Sequence, residues 1–174
     1  MYFDSHAHYD DERFDDDRNE LLASFPDAGI ENVVNSSSDI ASSKASIALT
    51  EKYPFFYASV GVHPHEVEKM TEQDLLELET LSKHEKVVAI GEIGLDFYYD
   101  LSPRDMQRYW FKRQLELAER LDMPIIVHSR DAAQECFDII KASGVRKGVI
   151  HCYSGSAQMA KDYIDMGFYI GIGG

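Results

Sequence analysis

The chain opens Met1-Tyr2-Phe3-Asp4-Ser5-His6-Ala7-His8. Two apolar residues lead into two histidines one residue apart. In an extended strand, side chains at i and i+2 project to one face, so His6 and His8 point the same way. Neutral imidazole is the commonest metal ligand, and two at one strand end form a chelate. Taken alone, the pair reads equally well as two solvated histidines near a terminus. What separates the readings is that the same arrangement, an apolar run ending in a ligand-type side chain, returns along the chain.

Apolar runs recur at Ile30–Asn35, Phe55–Val62, Val87–Glu92, Pro124–His128, Gly148–His151 and Phe168–Ile172, and each reads as a strand. Helical stretches lie between them. One spans about Asp16 to Phe25, the Asp15-Asp16-Asp17 carboxylates suiting its positive end. Asp39 caps a second, through about Glu51, and Thr71-Glu72-Gln73-Asp74 opens a third. Ser102-Pro103 places an N-cap and a first-turn proline at the head of the longest helix, to about Leu121. Further helices follow over 132–142 and from Ser156 to near Gly167.

Short, continuous apolar strands fit a sheet covered on both faces. Their alternation with helices implies parallel pairing through right-handed crossovers. Seven such units suit either an eight-membered barrel or a doubly wound sheet. No glycine-rich phosphate loop follows a strand, which weakens the nucleotide-binding alternative. No internal repeat, low-complexity segment or linker interrupts the pattern, so residues 1–174 read as a single domain.

Composition narrows the class. Apolar residues make up 44% and charged residues 28%, as in a globular protein able to bury a core. No apolar run approaches the roughly 18 residues that span a bilayer. The opening residues lack a basic segment followed by an apolar one, so no secretory leader is expected. Cys136 and Cys152 form no CxxC pair and read as reduced thiols of a cytoplasmic protein. The formal net charge of -14 repels nucleic acid except where a basic or metal-bearing cleft overrides it. The acidic runs at 10–12 and 15–17 read as solvated faces.

The strand exits carry the chemistry. His6 and His8 end the first strand, His63 and His65 the third, Glu92 the fourth, His128 the fifth and His151 the sixth. Six of the seven histidines stand at such exits; His84 does not and reads as a surface residue. Any one of them is explained by packing. Their convergence on one rim is not, and the C-terminal rim is where a barrel gathers its reactive groups.

Five stretches carry a resemblance: Asp4-Ser5-His6-Ala7-His8, Gly61-Val62-His63-Pro64, Gly91-Glu92-Ile93-Gly94-Leu95-Asp96, His128-Ser129-Arg130 and His151-Cys152-Tyr153-Ser154-Gly155. In this order they resemble the TatD family of metal-dependent hydrolases and deoxyribonucleases, within the amidohydrolase-like barrels. The resemblance covers essentially the whole chain. It implies a TIM-type (β/α) barrel, here incomplete, with seven of eight parallel strands. It implies a two-metal site, with His6 and His8 on one ion, His128 and His151 on the other and Glu92 bridging. Mg, Mn and Zn are the candidate ions. The family's further aspartate, from strand eight, has no counterpart before Gly174, and a barrel of this kind needs about 250 residues, so the chain reads as lacking the last β/α unit. Strands one and seven would then keep unpaired edges.

The resemblance implies hydrolysis of phosphodiester bonds, with single-stranded DNA ends as the partner and no obligate protein partner. The same ligands would serve a hydrolase of small amides, esters or phosphoesters, or an inactive metal-binding fragment. Glu92 and His63 are the candidate catalytic residues. Arg130, His63 and Tyr153 are the candidate substrate contacts. Arg130 reads either as a bidentate phosphate contact or as an ion pair with Asp96 or Asp131. His63 reads as a phosphate or proton-transfer contact or as loop packing, and His65 as solvated. Tyr98, Tyr99 and Tyr153 could stack on bases or simply pack. Asp4 and Asp96 are placed to orient ligand histidines.

Overall fold

Every apolar run named above is a strand in the computed structural model, which describes residues 2–173. The order is β1 (Tyr2–Ala7), α1 (Arg18–Ala23), β2 (Ile30–Asn35), α2 (Ile40–Lys52), β3 (Phe56–Val60), α3 (Glu72–Leu81), β4 (Val87–Asp96), α4 (Arg104–Arg120), β5 (Ile125–Arg130), α5 (Ala133–Ala142), β6 (Gly148–Ile150), α6 (Ala157–Asp165) and β7 (Phe168–Ile170). The strands form one parallel sheet in chain order, β1 to β7. An order without reversal belongs to a barrel and excludes the doubly wound alternative.

The sheet is curled. Laid flat, β1 and β6 would stand about 24 Å apart, at roughly 4.8 Å per strand. Instead the ring of His6, from β1, stacks on that of His151, just past β6, with centroids 3.8 Å apart. Seven parallel strands curled in this way are an incomplete TIM-type barrel. Among the described residues no ladder joins β7 to β1. Both edges are bare, and Tyr2, Phe3, Tyr169 and Ile172 are exposed beside them.

Alternation along the strands sorts the core. Val33 and Phe56 pack with Leu22 and Phe25 of the α1 region and with Leu49 of α2, on the outer, helix-covered face. Val34 takes the opposite face, where it clusters with Ala89 and Ile126 inside the curl. The largest cluster joins β3–β7 to α3, α4, α5 and α6 through residues such as Ile90, Trp110, Phe111, Ile125, Ile140 and Tyr163. Thr71 and Asp74 form a reciprocal capping box on α3, and Asp39 and Ser156 cap α2 and α6.

Some boundaries differ from the sequence reading. The longest helix starts at Arg104 with Pro103 at the cap position. Ser102 does not cap it; its hydroxyl donates to the His65 carbonyl at 2.8 Å and accepts from the Glu68 N–H. The first helix starts at Arg18, later than expected. The Arg18 guanidinium donates to the carbonyls of Tyr9, Asp10 and Asp11, holding the preceding segment as a looped turn. β4 continues four residues past Glu92, to Asp96, because its ladder with β5 runs through Gly94↔His128 to Asp96↔Arg130.

Candidate metal centre at the strand exits

The centre is built on Glu92, in the middle of β4, 2% exposed. Its backbone N–H donates to the Ser37 carbonyl, tying it to the end of β2. Four imidazoles meet its carboxylate. His6 Nε2 and His8 Nε2 lie 2.9 and 3.4 Å from Oε2. His128 Nδ1 and His151 Nε2 lie 3.0 and 2.6 Å from Oε1. The two histidines of β1 therefore share one carboxylate oxygen, and those of β5 and β6 share the other. The same-face expectation for His6 and His8 holds, their rings meeting edge to face at 4.6 Å.

Gly94 lets β4 and β5 come together at this level. It has φ +147°, and a Cβ there would fall 1.9 Å from the His128 carbonyl oxygen. From the far side, α4 presents two fully buried glutamines, seven residues apart on one helical face. Gln107 bonds both backbone groups of Asp96, and Gln114 both backbone groups of Val62. The exits of β3 and β4 are thereby fixed against the same helix.

Burial opposes ionisation of Glu92, but hydrogen bonds from His128, His151, His6 and His8 outweigh it and hold the carboxyl well below its usual range. Burial lowers His8 and His128 too, yet the Glu92 carboxylate raises both above 6.5 overall. Burial prevails at His151, which is lowered, and at His63, brought down to about 3.

The donor set suits divalent cations. His128 Nε2 stands 2.9 Å from Asp96 Oδ2 and donates its proton there. Nδ1 of the same ring faces Glu92 Oε1, with His151 Nε2 only 3.3 Å away, and there it would offer its lone pair to a bound cation. A divalent cation bound there would replace the protons through which these imidazoles bond Glu92. His6, Glu92 and His151 bring ligand atoms within 4.8 Å of one another, and so do His63, His65 and His128.

Asp96 was expected to orient a ligand histidine, and it does more. One of its oxygens takes both His128 and His65, at 2.9 and 2.8 Å. The other accepts the N–H groups of Tyr98 and Tyr99, at 3.0 and 2.8 Å. Burial resists its ionisation, but the Tyr99 amide and the two imidazoles bring the carboxyl down to about 2. His65 is thus not solvated: it is held by Asp96 and packs edge to face on His63 at 4.3 Å. The signal was its spacing from His63, the same as between His6 and His8. His63 is buried, 3.7 Å from Glu92 Oε1. Asp4 accepts the His6 backbone N–H. Asp10 leaves the supposed solvated run: its carboxylate accepts from Asn35 and Ser42, and it lines a cleft of about 520 Å³ with His8, Arg13, His63, His65 and Glu92.

Arg130 makes neither of the ion pairs considered for it among the described residues. Its guanidinium lies over the rings of Tyr98 and Tyr99, 4.4 and 4.6 Å from their centroids. The Tyr153 hydroxyl donates to the Ser156 carbonyl, and its ring faces Tyr163. Cys136 is buried and its thiol is pushed up to about 12 by that burial; Cys152 is exposed.

A curled parallel sheet with imidazoles and one buried carboxylate gathered at its strand exits is the framework of a metal-dependent hydrolase. The chain belongs to the family described as TatD related DNase, whose sequence model matches residues 3–174. It is 40% identical to the uncharacterized metal-dependent hydrolase YabD of Bacillus subtilis, over 100% of this chain and 69% of that protein. It is 32% identical to the 3'-5' ssDNA/RNA exonuclease TatD of Cronobacter sakazakii, over 99% of this chain and 66% of that protein. The crystal structure of YJJV, a TatD homolog from Escherichia coli, superposes with a TM-score of 0.90 at 33% identity, covering 97% of this chain and 66% of that one. The chain thus spans about two thirds of the length of these relatives. No helix among the described residues is long and apolar enough to cross a membrane.

Proposed function

We propose that the chain is a cytoplasmic deoxyribonuclease that hydrolyses phosphodiester bonds at single-stranded DNA ends, using two divalent metal ions. The observation that carries this reading is the buried Glu92 carboxylate with four imidazoles divided between its two oxygens. His6 and His8 with one oxygen, and His128 and His151 with the other, form two half-sites joined by one bridging side chain. Bound Mg, Mn or Zn would polarise the phosphoryl oxygen and lower the pKa of water, giving a nucleophile near neutral pH. Glu92 sets the separation of the two half-sites. Asp96 holds the His128 proton on Nε2, leaving Nδ1 as the ligand atom. His63, buried beside Glu92, faces the cleft as a contact for the phosphate or the departing oxygen, and Arg130 offers a guanidinium to the phosphate at the rim. Tyr153 contributes through its ring, since its hydroxyl is engaged.

Exonuclease TatD relatives at about one-third identity support a nucleic-acid substrate. We read residues 1–174 as one domain, spanning about two thirds of these relatives, with no obligate protein partner. The test is digestion of end-labelled single-stranded DNA with Mg or Mn. The parent protein is expected to shorten the strand and Glu92→Ala to leave it intact; digestion unchanged by Glu92→Ala would sink the proposal. A second reading, hydrolysis of a small amide, ester or phosphoester, is favoured by the net charge of -14, which disfavours polyanions. Turnover of such substrates without DNA digestion would establish it. Stoichiometric metal with no turnover at all would mark an inactive metal-binding fragment.

A further inference from the structure

The protein has eight arginines, and seven of them engage their guanidinium groups with protein oxygens. Arg13, Arg18, Arg104, Arg108, Arg113 and Arg120 pair with carboxylates, and Arg146 with backbone carbonyls. Arg130 alone meets no acceptor among the described residues, although the chain carries 31 acidic residues. It is held instead by its flat face, over Tyr98 and Tyr99. The two rings meet edge to face at 4.8 Å and remain 58% and 51% exposed. Guanidinium held by its face keeps its N–H edge free for a phosphate.

This cluster is fixed to the metal centre. Asp96 accepts the Tyr98 and Tyr99 amides on one oxygen and the His128 and His65 imidazoles on the other. The Tyr99 ring also packs edge to face on His65, with centroids 5.6 Å apart. One buried carboxylate therefore sets the position of a ligand histidine and of an exposed aromatic pair together.

We propose that Tyr98, Tyr99 and Arg130 form a nucleotide-binding platform beside the metal centre, on which an unpaired base stacks while Arg130 holds the adjoining phosphate. This rests on the nucleic-acid reading above and adds what that reading lacks, a reason for single strands. A base inside a duplex has both faces covered by its neighbours and is closed to the tyrosines, whereas an unpaired base offers a face irrespective of sequence. A stacked base contributes roughly ten-fold in affinity.

The experiment measures binding of fluorescein-labelled, phosphorothioate-linked oligonucleotides in Mg by anisotropy. One strand is oligo-dT, another is an abasic strand of equal length, and the third is oligo-dT paired with oligo-dA. The parent protein is expected to bind oligo-dT about ten-fold more tightly than either of the others. Tyr98→Leu/Tyr99→Leu is expected to lose that preference, while Tyr98→Phe/Tyr99→Phe retains it, because stacking does not use the hydroxyl. Arg130→Gln is expected to weaken oligo-dT and the abasic strand alike. Equal binding of oligo-dT and the abasic strand by the parent, including no binding of either, overturns the platform. So does a preference that survives the leucine pair or is lost in the phenylalanine pair. Hydrolysis of bis(p-nitrophenyl) phosphate, which has no base to stack, separately reports whether the metal centre is a phosphodiesterase.

Discussion

Asp96 shows how one side chain organises this site. All of its hydrogen-bonding capacity is used inside the protein, by two imidazoles, two loop amides and Gln107. Its carboxyl lies at about 2 in the folded protein, below the ordinary 3.8. The stabilisation from ionised Asp96 is therefore complete above the unfolded value and is lost as pH falls from about 4 through about 2. Denaturant unfolding is expected to find Asp96→Asn less stable than the parent at pH 6, with the gap narrowing between pH 4 and pH 2. A gap that does not vary with pH would mean that Asp96 acts through shape alone. Gly94 is as constrained. Gly94→Ala would combine an unfavourable φ of +147° with a Cβ 1.9 Å from the His128 carbonyl, so β5 must shift. A loss on the order of 3 kcal/mol is expected from such a strained position. It should come with weaker metal uptake in calorimetric titration, because His128 moves with its strand.

At the scale of elements, α4 acts as a splint. Gln107 and Gln114 satisfy buried N–H and carbonyl groups at the end of β4 and at the β3 exit. Replacing Gln107 with Leu leaves both Asp96 backbone groups buried without partners, a loss on the order of 3 kcal/mol. Thermal melts should show a clear drop in Tm for Gln107→Leu and little change for Lys112→Ala on the same helix, whose side chain is exposed. The sequence marked the extent of this helix but not the work of its glutamines, since a polar residue on a helix reads as solvent-facing until its neighbours are known. Helix ends marked by local hydrogen bonds, at Asp39, Thr71 and Ser156, were legible. Ser102 was misread because the His65 carbonyl and the Glu68 amide, both distant in sequence, compete for its hydroxyl.

For the whole molecule, two properties follow from the curl. It brings the candidate ligands of β1, β4, β5 and β6 together, so a bound ion would clamp four strands in the folded state only. Mn or Zn is therefore expected to raise Tm by mass action in the parent, by about 3 kcal/mol of stability at 100 times the dissociation constant, and to leave the Tm of Glu92→Ala unmoved. The curl also leaves β1 and β7 with open edges beside exposed Tyr2, Phe3, Tyr169 and Ile172. A polypeptide of these 174 residues is expected to self-associate as its concentration rises, and Phe3→Lys with Tyr169→Lys to suppress this in light scattering.

The alternation of apolar runs with helical stretches fixed the strands and their parallel pairing, because burial on both faces leaves its mark in consecutive residues. That His6, His8, Glu92, His128 and His151 would meet was legible too, because each follows an apolar run in the sequence. The order of the strands, and the curl that stacks His6 on His151, were decided only in three dimensions. So were the sharing of Asp96 between His65 and His128 and the placing of Arg130 over two tyrosines, unpaired with any carboxylate among the described residues. Those outcomes depend on which distant groups compete for the same hydrogen bond or the same ring face, and that competition is settled by packing across the sheet, to which no short stretch of sequence has access.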